Sequence, residues 1–124
     1  MSVIVAGGGL AGSEAALYLA DRGIEVLLYE MRPDKSTGAH TGSDFAEFVC
    51  SNSLGSTGTS SASGLLKEEA LLFGSTLMKT AFDTRVPSGN SLSIDRHGFS
   101  AKITDLINNH PNIQVVRKEV VKIP

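Results

Sequence analysis

The fold is decided by one opening stretch: Val3-Ile4-Val5-Ala6-Gly7-Gly8-Gly9-Leu10-Ala11-Gly12, followed by residues 13–22, Gly23, and Glu25-Val26-Leu27-Leu28-Tyr29-Glu30. Residues 3–6 form an unbroken apolar run rich in β-branched side chains, the pattern of a strand buried on both faces of a parallel sheet. The glycine cluster follows with no spacer. Residues 13–22 are good helix formers, with Ala11, Ala15 and Leu19 at four-residue spacing on one face. Gly23 stands where a left-handed helix stop is expected, and residues 25–30 read as a second buried strand. This is β-α-β in about 30 residues, a crossover that makes the two strands parallel neighbours.

The turn between strand and helix spells G-x-G-x-x-G on Gly7, Gly9 and Gly12, in the strand-turn-helix context that gives the motif its meaning. Gly7 permits the tight turn, Gly9 lets a pyrophosphate approach the main chain, and Gly12 lets the helix pack closely on the strand. The free N–H groups and positive dipole end of the helix then face the phosphates. We therefore expect Gly7, Gly8, Gly9, Leu10, Ala11 and Gly12 to hold a dinucleotide. Glu30, at the end of the second strand, is placed to accept hydrogen bonds from a ribose diol. A carboxylate there repels a 2′-phosphate, so NADP does not suit this turn. The motif does not choose between FAD and NAD; its place at the amino end leans towards FAD by analogy alone.

Composition agrees with one ordinary globular domain. The chain has 124 residues, 41% apolar and 19% charged, enough to bury a core. No apolar run approaches the roughly 20 residues that cross a bilayer, and the amino end lacks the form of a signal peptide, so the expectation is a cytoplasmic protein with no membrane partner. The 11 basic and 13 acidic residues leave a net charge of -2, which advertises no nucleic-acid surface. A single Cys excludes a disulfide framework and a Cys-based zinc site. His40 and His97 have no ligand-like spacing, so no metal is expected.

Beyond the first strand pair, residues 36–64 are more than half Gly, Ser or Thr, an active-site type of loop. One apolar island interrupts it, Phe45-Ala46-Glu47-Phe48-Val49-Cys50, read as a short ordered element. Residues 65–82 read as helix, with Leu65/Leu72 and Leu66/Phe73 recurring at seven-residue spacing and a break at Gly74. Residues 85–87 are extended before Pro87, and residues 91–94 alternate as a strand. Asp95 caps a helix whose stripe is Phe99, Ile103, Leu106 and Ile107 and which ends near Asn109. Residues 113–116 and 120–123 read as two more strands. Lys67, Glu68 and Glu69 read as a wet helix face, and Arg117, Lys118 and Lys122 as a solvated strand edge that discourages edge pairing.

Several blocks go further than the generic motif. Gly7 to Ala16, Tyr29-Glu30-Met31-Arg32-Pro33, Phe45-Ala46-Glu47-Phe48-Val49-Cys50-Ser51-Asn52-Ser53-Leu54 and Gly64-Leu65-Leu66-Lys67-Glu68-Glu69 resemble the folate- and FAD-dependent tRNA (uracil-5-)-methyltransferases. Arg85-Val86-Pro87, Asp95-Arg96 and His110-Pro111-Asn112-Ile113 continue the match. Departures are local: Ser61-Ala62-Ser63 where the family has Asn-Ala, and Gly89-Asn90-Ser91-Leu92 where it has Gly-Gly-Ala-Leu. Family proteins are several-fold longer. The resemblance therefore implies that residues 1–124 are the amino-terminal part of a Rossmann-like, α/β, FAD-binding domain. Its parallel sheet is incomplete in this chain and awaits the remainder of the domain or partner chains.

The implied reaction methylates C5 of a uridine in the T loop of tRNA. Methylenetetrahydrofolate supplies the carbon, reduced FAD the electrons, and NAD(P)H the reduction of the flavin. Uracil C5 is a poor nucleophile, and a thiolate added at C6 makes it enolate-like. Cys50 is the only candidate in the chain. On its own, a free Cys reads as a small buried hydrophobe. The resemblance leaves it three possible roles: attack on uracil, tuning of the flavin, or lining of the site. Arg32 is a candidate for the adenosine side of the cofactor, with a solvated loop arginine as the alternative. The other readings of the chain are a generic FAD- or NAD-dependent oxidoreductase and a fragment without activity of its own.

Overall fold

The computed structural model describes residues 1–123. Three strands, β1 (Ser2–Ala6), β2 (Glu25–Tyr29) and β6 (Ile113–Val116), form a parallel sheet in the order β1-β2-β6. Val3 pairs with Val26, and Val26 in turn with Ile113. A second, antiparallel sheet has the order β3-β5-β4, from Ser53–Ser56, Ser91–Ile94 and Arg85–Val86. The helices are α1 (Leu10–Ala20), α2 (Ala62–Leu72), α3 (Thr76–Asp83) and α4 (Arg96–Asn108). No helix among the described residues is long and apolar enough to cross a membrane.

Helix starts follow side-chain chemistry. Ser61, Ser75 and Asp95 each accept the N–H three residues on, from Gly64, Met78 and Gly98, which satisfies an orphan donor of the first turn. Gly74 (φ 83°) breaks the expected long helix into α2 and α3, since a left-handed residue cannot continue the α ladder. The core lies where α1 and α4 cover one face of the parallel sheet. Val26 and Leu28 of β2 meet Ala16, Leu17 and Ala20 of α1 and Phe99, Ile103 and Ile107 of α4, joined by Leu92 and Ile94 of β5.

Four expectations need correction. β1 is not buried on both faces: only Val5 is half-buried, because β1 is an edge strand and its outer face is uncovered. The inward face of α1 is Ser13, Ala16, Leu17 and Ala20; of the expected stripe only Leu19 packs against the core, half-buried, while Ala11 and Ala15 are exposed. α2 is inverted: Gly64 and Lys67 are its buried residues, while Leu66, Leu72 (83% exposed) and Phe73 (72% exposed) face solvent. Residues 120–123 form no strand: they lie beside Ile4 and Ala6 of β1 without a ladder, and Val121 and Ile123 stand exposed.

The long Ser/Gly/Thr loop also holds β3, which the composition hid. The Phe45 island is ordered without being helix or strand: Phe45 and Ala46 are wholly buried, and packing rather than a backbone ladder fixes them.

Candidate functional site

The turn at residues 7–12 is built on contacts that define which glycines the fold itself requires. Gly7 has φ 99°, a conformation that side chains disfavour, and its N–H donates to Tyr29 O at 2.8 Å, tying the turn to β2. A Cβ on Gly12 would be driven into the Gly7 carbonyl oxygen, and one on Gly8 into the Phe45 ring. Gly9 differs: a Cβ there meets no atom within 4 Å and its φ is an ordinary -72°. Packing within the chain gives no reason for glycine at 9. Its bareness clears the approach to the start of α1.

That approach suits an anion. Gly9 caps α1 without a side-chain hydrogen bond, and no acidic residue sits in the first turn. Among the described residues, the N–H groups of Gly9, Leu10 and Ala11 have no acceptor, and all three residues are exposed. These are the orphan donors that a diphosphate takes up. Gly8 is the exception within the turn. It is buried, its N–H donates to Glu30 Oε2 (2.8 Å), and its carbonyl accepts from Ser13 Oγ (3.1 Å) and Ala46 N–H (2.9 Å). It shapes the cradle without facing it.

Glu30 is 5% exposed and fully engaged. Oε1 accepts the backbone N–H and the Nε of Arg32, both at 2.9 Å. Oε2 accepts the Gly8 N–H and, at 3.3 Å, Arg32 Nη2. These contacts fill roughly the four acceptor positions of a carboxylate. Burial pushes its pKa up, but the Arg32 hydrogen bonds, the Gly8 N–H and the Arg32 charge outweigh that and hold it at about 2. A ribose diol therefore gains access to Glu30 only by displacing a partner, and the long Arg32 Nη2 contact is the weakest.

Arg32 is not solvated. It is 2% exposed and bridges Glu30 to Glu47, whose Oε2 lies 2.7 Å from Nη1. Glu47 also accepts the N–H and hydroxyl of Thr41, at 2.9 and 2.8 Å. Burial raises the Glu47 pKa, yet these Thr41 bonds and Arg32 bring it below its ordinary value. Arg117, expected on a solvated edge, is half-buried. It donates to Arg32 O (3.0 Å) and Ser43 O (2.9 Å) and lies over the Phe45 ring at 4.3 Å. Burial lowers its pKa, with Glu30 opposing. Lys67, expected on a wet face, is 7% exposed and donates to the carbonyl and hydroxyl of Ser63.

Cys50 is exposed, so it is not a small core hydrophobe. It follows Phe48, whose ring meets Phe99 edge-on at 5.3 Å, and Val49, which lines a cavity of about 330 Å³ with Thr41, Glu47, Arg96, His97 and Ser100. Phe45, Glu47 and Arg117 were not singled out by sequence reasoning as parts of a site. The only signal for Phe45 was the apolar island within a polar loop, and the long-range partners of Glu47 and Arg117 leave no mark in spacing.

Parallel β-α-β topology with this glycine turn defines an α/β protein of the Rossmann type. The chain belongs to the glucose inhibited division protein A family, whose profile matches residues 2–124. It is 56% identical over 124 residues to the methylenetetrahydrofolate–tRNA-(uracil-5-)-methyltransferase TrmFO of Anoxybacillus flavithermus, covering all of this chain and 29% of that protein. It is 54% identical over 122 residues to the TrmFO of Persephonella marina, covering 98% of this chain and 28% of that one. The chain thus spans less than a third of the length of these relatives. The structure of Aquifex aeolicus GidA in its form II crystal superposes with a TM-score of 0.75 at 21% identity, over 97% of this chain and 20% of that one, a likeness of fold. The resemblance read from the sequence blocks therefore extends along the whole chain.

Proposed function

We propose that this chain is the FAD-gripping part of a folate-dependent tRNA (uracil-5-)-methyltransferase. The carrying observation is the 56% identity, sustained over every residue of the chain, to an enzyme named for that reaction. The open turn supports it: free amides at Gly9, Leu10 and Ala11 suit a diphosphate, with Gly7, Gly8 and Gly12 shaping the cradle around them. Glu30 then reads the ribose by exchanging its Arg32 Nη2 contact, and Arg32 holds that carboxylate in place. When bound, FAD supplies the electrons that turn a transferred methylene into a methyl group, with NAD(P)H as its reductant.

Cys50 is our candidate for the nucleophile. Its exposed thiolate adds to C6 of the uridine, forming an S–C6 bond and leaving the electron pair on C5. C5 then bonds to the methylene carbon of methylenetetrahydrofolate. Loss of the C5 proton and breakage of the carbon–nitrogen bond release tetrahydrofolate and leave an exocyclic methylene on C5. The two electrons that reduced FAD would supply, with a proton, turn it into methyl before the thiolate leaves C6. The substrate is a tRNA T-loop uridine, which places the work in the cytoplasm. Incubating the full-length protein with unmodified tRNA, methylenetetrahydrofolate labelled in its one-carbon unit, FAD and NADH tests this. Label is expected in 5-methyluridine at the T loop. Absence of label from tRNA, or label at another base, overturns the assignment.

A further inference from the structure

We infer that Phe45, held in place by Arg117, is a positioning residue for the turn at residues 7–12; the inference rests on reading that turn as the diphosphate site. The Phe45 ring is wholly buried and fills the space beside Gly8 that any side chain on Gly8 would need. The next residue, Ala46, donates its N–H to Gly8 O at 2.9 Å. With Glu30 Oε2 on the Gly8 N–H and Ser13 Oγ on its carbonyl, the Gly8 peptide is fixed at both ends. Gly8 leads directly into Gly9, Leu10 and Ala11, so the orientation of its peptide sets where those free amides point.

Ala46 holds a conformation that it would not choose. Ala46 has φ 53°, in the left-handed region that disfavours a residue with a Cβ. Such an outlier persists only where its surroundings over-determine it. Here Thr104 Oγ1 accepts the Phe45 N–H at 2.9 Å, and Ser100 Oγ donates to Ala46 O at 3.3 Å. From the far end of β6, Arg117 lays its guanidinium on the ring and anchors both ends of the incoming loop through Arg32 O and Ser43 O. Arg117 makes no hydrogen bond to the turn among the described residues; apart from its charge beside Glu30, it acts there through Phe45 and the loop that carries it.

The test compares wild type, R117Q, F45L and the double variant in the full-length protein. It measures FAD affinity by flavin fluorescence and amide exchange at Ala46 and residues 8–11. R117Q is expected to weaken FAD binding about tenfold, the scale of a lost charged hydrogen bond and ring contact, and to speed exchange at Ala46 while α4 exchanges as before. The double variant is expected to bind FAD no more weakly than F45L alone, since one residue works through the other. Faster exchange at Ala46 with unchanged FAD affinity in R117Q, or additive losses in the double variant, overturns the inference. If F45L does not fold, the paired readouts of R117Q decide alone. Wild type that holds no FAD refutes the nucleotide reading, and this inference falls with it. Wild type that binds FAD beside an R117Q of equal affinity refutes only this inference.

Discussion

Glu30 and Gly8 are joined by a hydrogen bond of 2.8 Å, from the Gly8 N–H to Oε2, that runs from the end of β2 to the middle of the glycine turn. The carboxylate is therefore part of the turn's frame before it is a reader of any ligand. Its pKa is about 2 in the fold against an ordinary 4.5. A depressed carboxylate contributes stability in full above its unfolded pKa and loses it as pH falls through the folded one. The window runs from about 4.5 down to about 2, and the contribution is on the order of 3 kcal/mol. Urea unfolding as a function of pH is expected to show this loss in wild type and a flatter profile in Glu30→Gln, which also starts from lower stability at pH 7. Parallel profiles for the two proteins would contradict the assignment.

Gly9 and Gly12 separate ligand from packing. Gly12→Ala forces a methyl into the Gly7 carbonyl, so it should cost about 3 kcal/mol or more, at the upper end for overpacking. Gly9→Ala meets open space at an ordinary φ, so its melting temperature should stay within about 3 °C of wild type, a stability change below roughly 0.5 kcal/mol. FAD affinity in Gly9→Ala should nevertheless fall at least about tenfold, because the methyl stands in the path of the phosphates. Thermal melts with and without FAD read both effects. Equal thermal losses for the two variants would remove the argument for Gly9.

The exposed face of α2 gives a third expectation. Leu66→Gln and Phe73→Gln should each change stability by less than about 0.5 kcal/mol, because neither side chain is buried. Lys67→Met should be neutral or stabilising, since it replaces a buried ammonium whose partner among the described residues is Ser63 alone. Denaturant midpoints measure all three. A loss of about 2 kcal/mol at Leu66 or Phe73 would restore the seven-residue stripe as a core face.

Cys50→Ala probes chemistry almost alone. The thiol is exposed, so the melting temperature should hold within about 2 °C. Methyl transfer to tRNA in the full-length protein should fall by at least about a thousandfold if the thiolate forms the S–C6 bond, as for loss of a covalent nucleophile. Cys50→Ser should fall as far. Undiminished transfer in either variant eliminates Cys50 as nucleophile.

What the sequence reveals divides along the range of the forces involved. β1, α1 and β2, the break at Gly74 and the Asp95 cap are local, and residue type at short spacing states each of them. The inverted face of α2 is not local. Leu65/Leu72 and Leu66/Phe73 have the spacing of a core stripe, but which side of a helix is buried depends on what packs there, and Gly64 and Lys67 face the protein instead. The half-exposed state of β1 likewise follows from its edge position, which its own residues do not encode. At the site, the glycines of the turn carry their mark in residue type and short spacing, although Gly8 is held bare by the distant Phe45 ring and Gly9 by nothing within the chain. Arg32 was legible as a candidate beside the cofactor, but Glu47 and Arg117 were not: the pairings that place these residues span 15 residues for Arg32 with Glu47 and 74 for Arg117 with Ser43.

The turn holds its glycines for two unlike reasons, and natural variation should treat them differently. Positions 7, 8 and 12 are constrained by the chain's own atoms, whatever the protein does. Position 9 has no such constraint from the chain, and under the proposed function it answers to the cofactor. In a lineage that abandons its cofactor yet keeps the scaffold, selection at position 9 lapses first. Side chains should accumulate there while the other three stay bare, and that asymmetry would mark in sequence alone which descendants have gone silent.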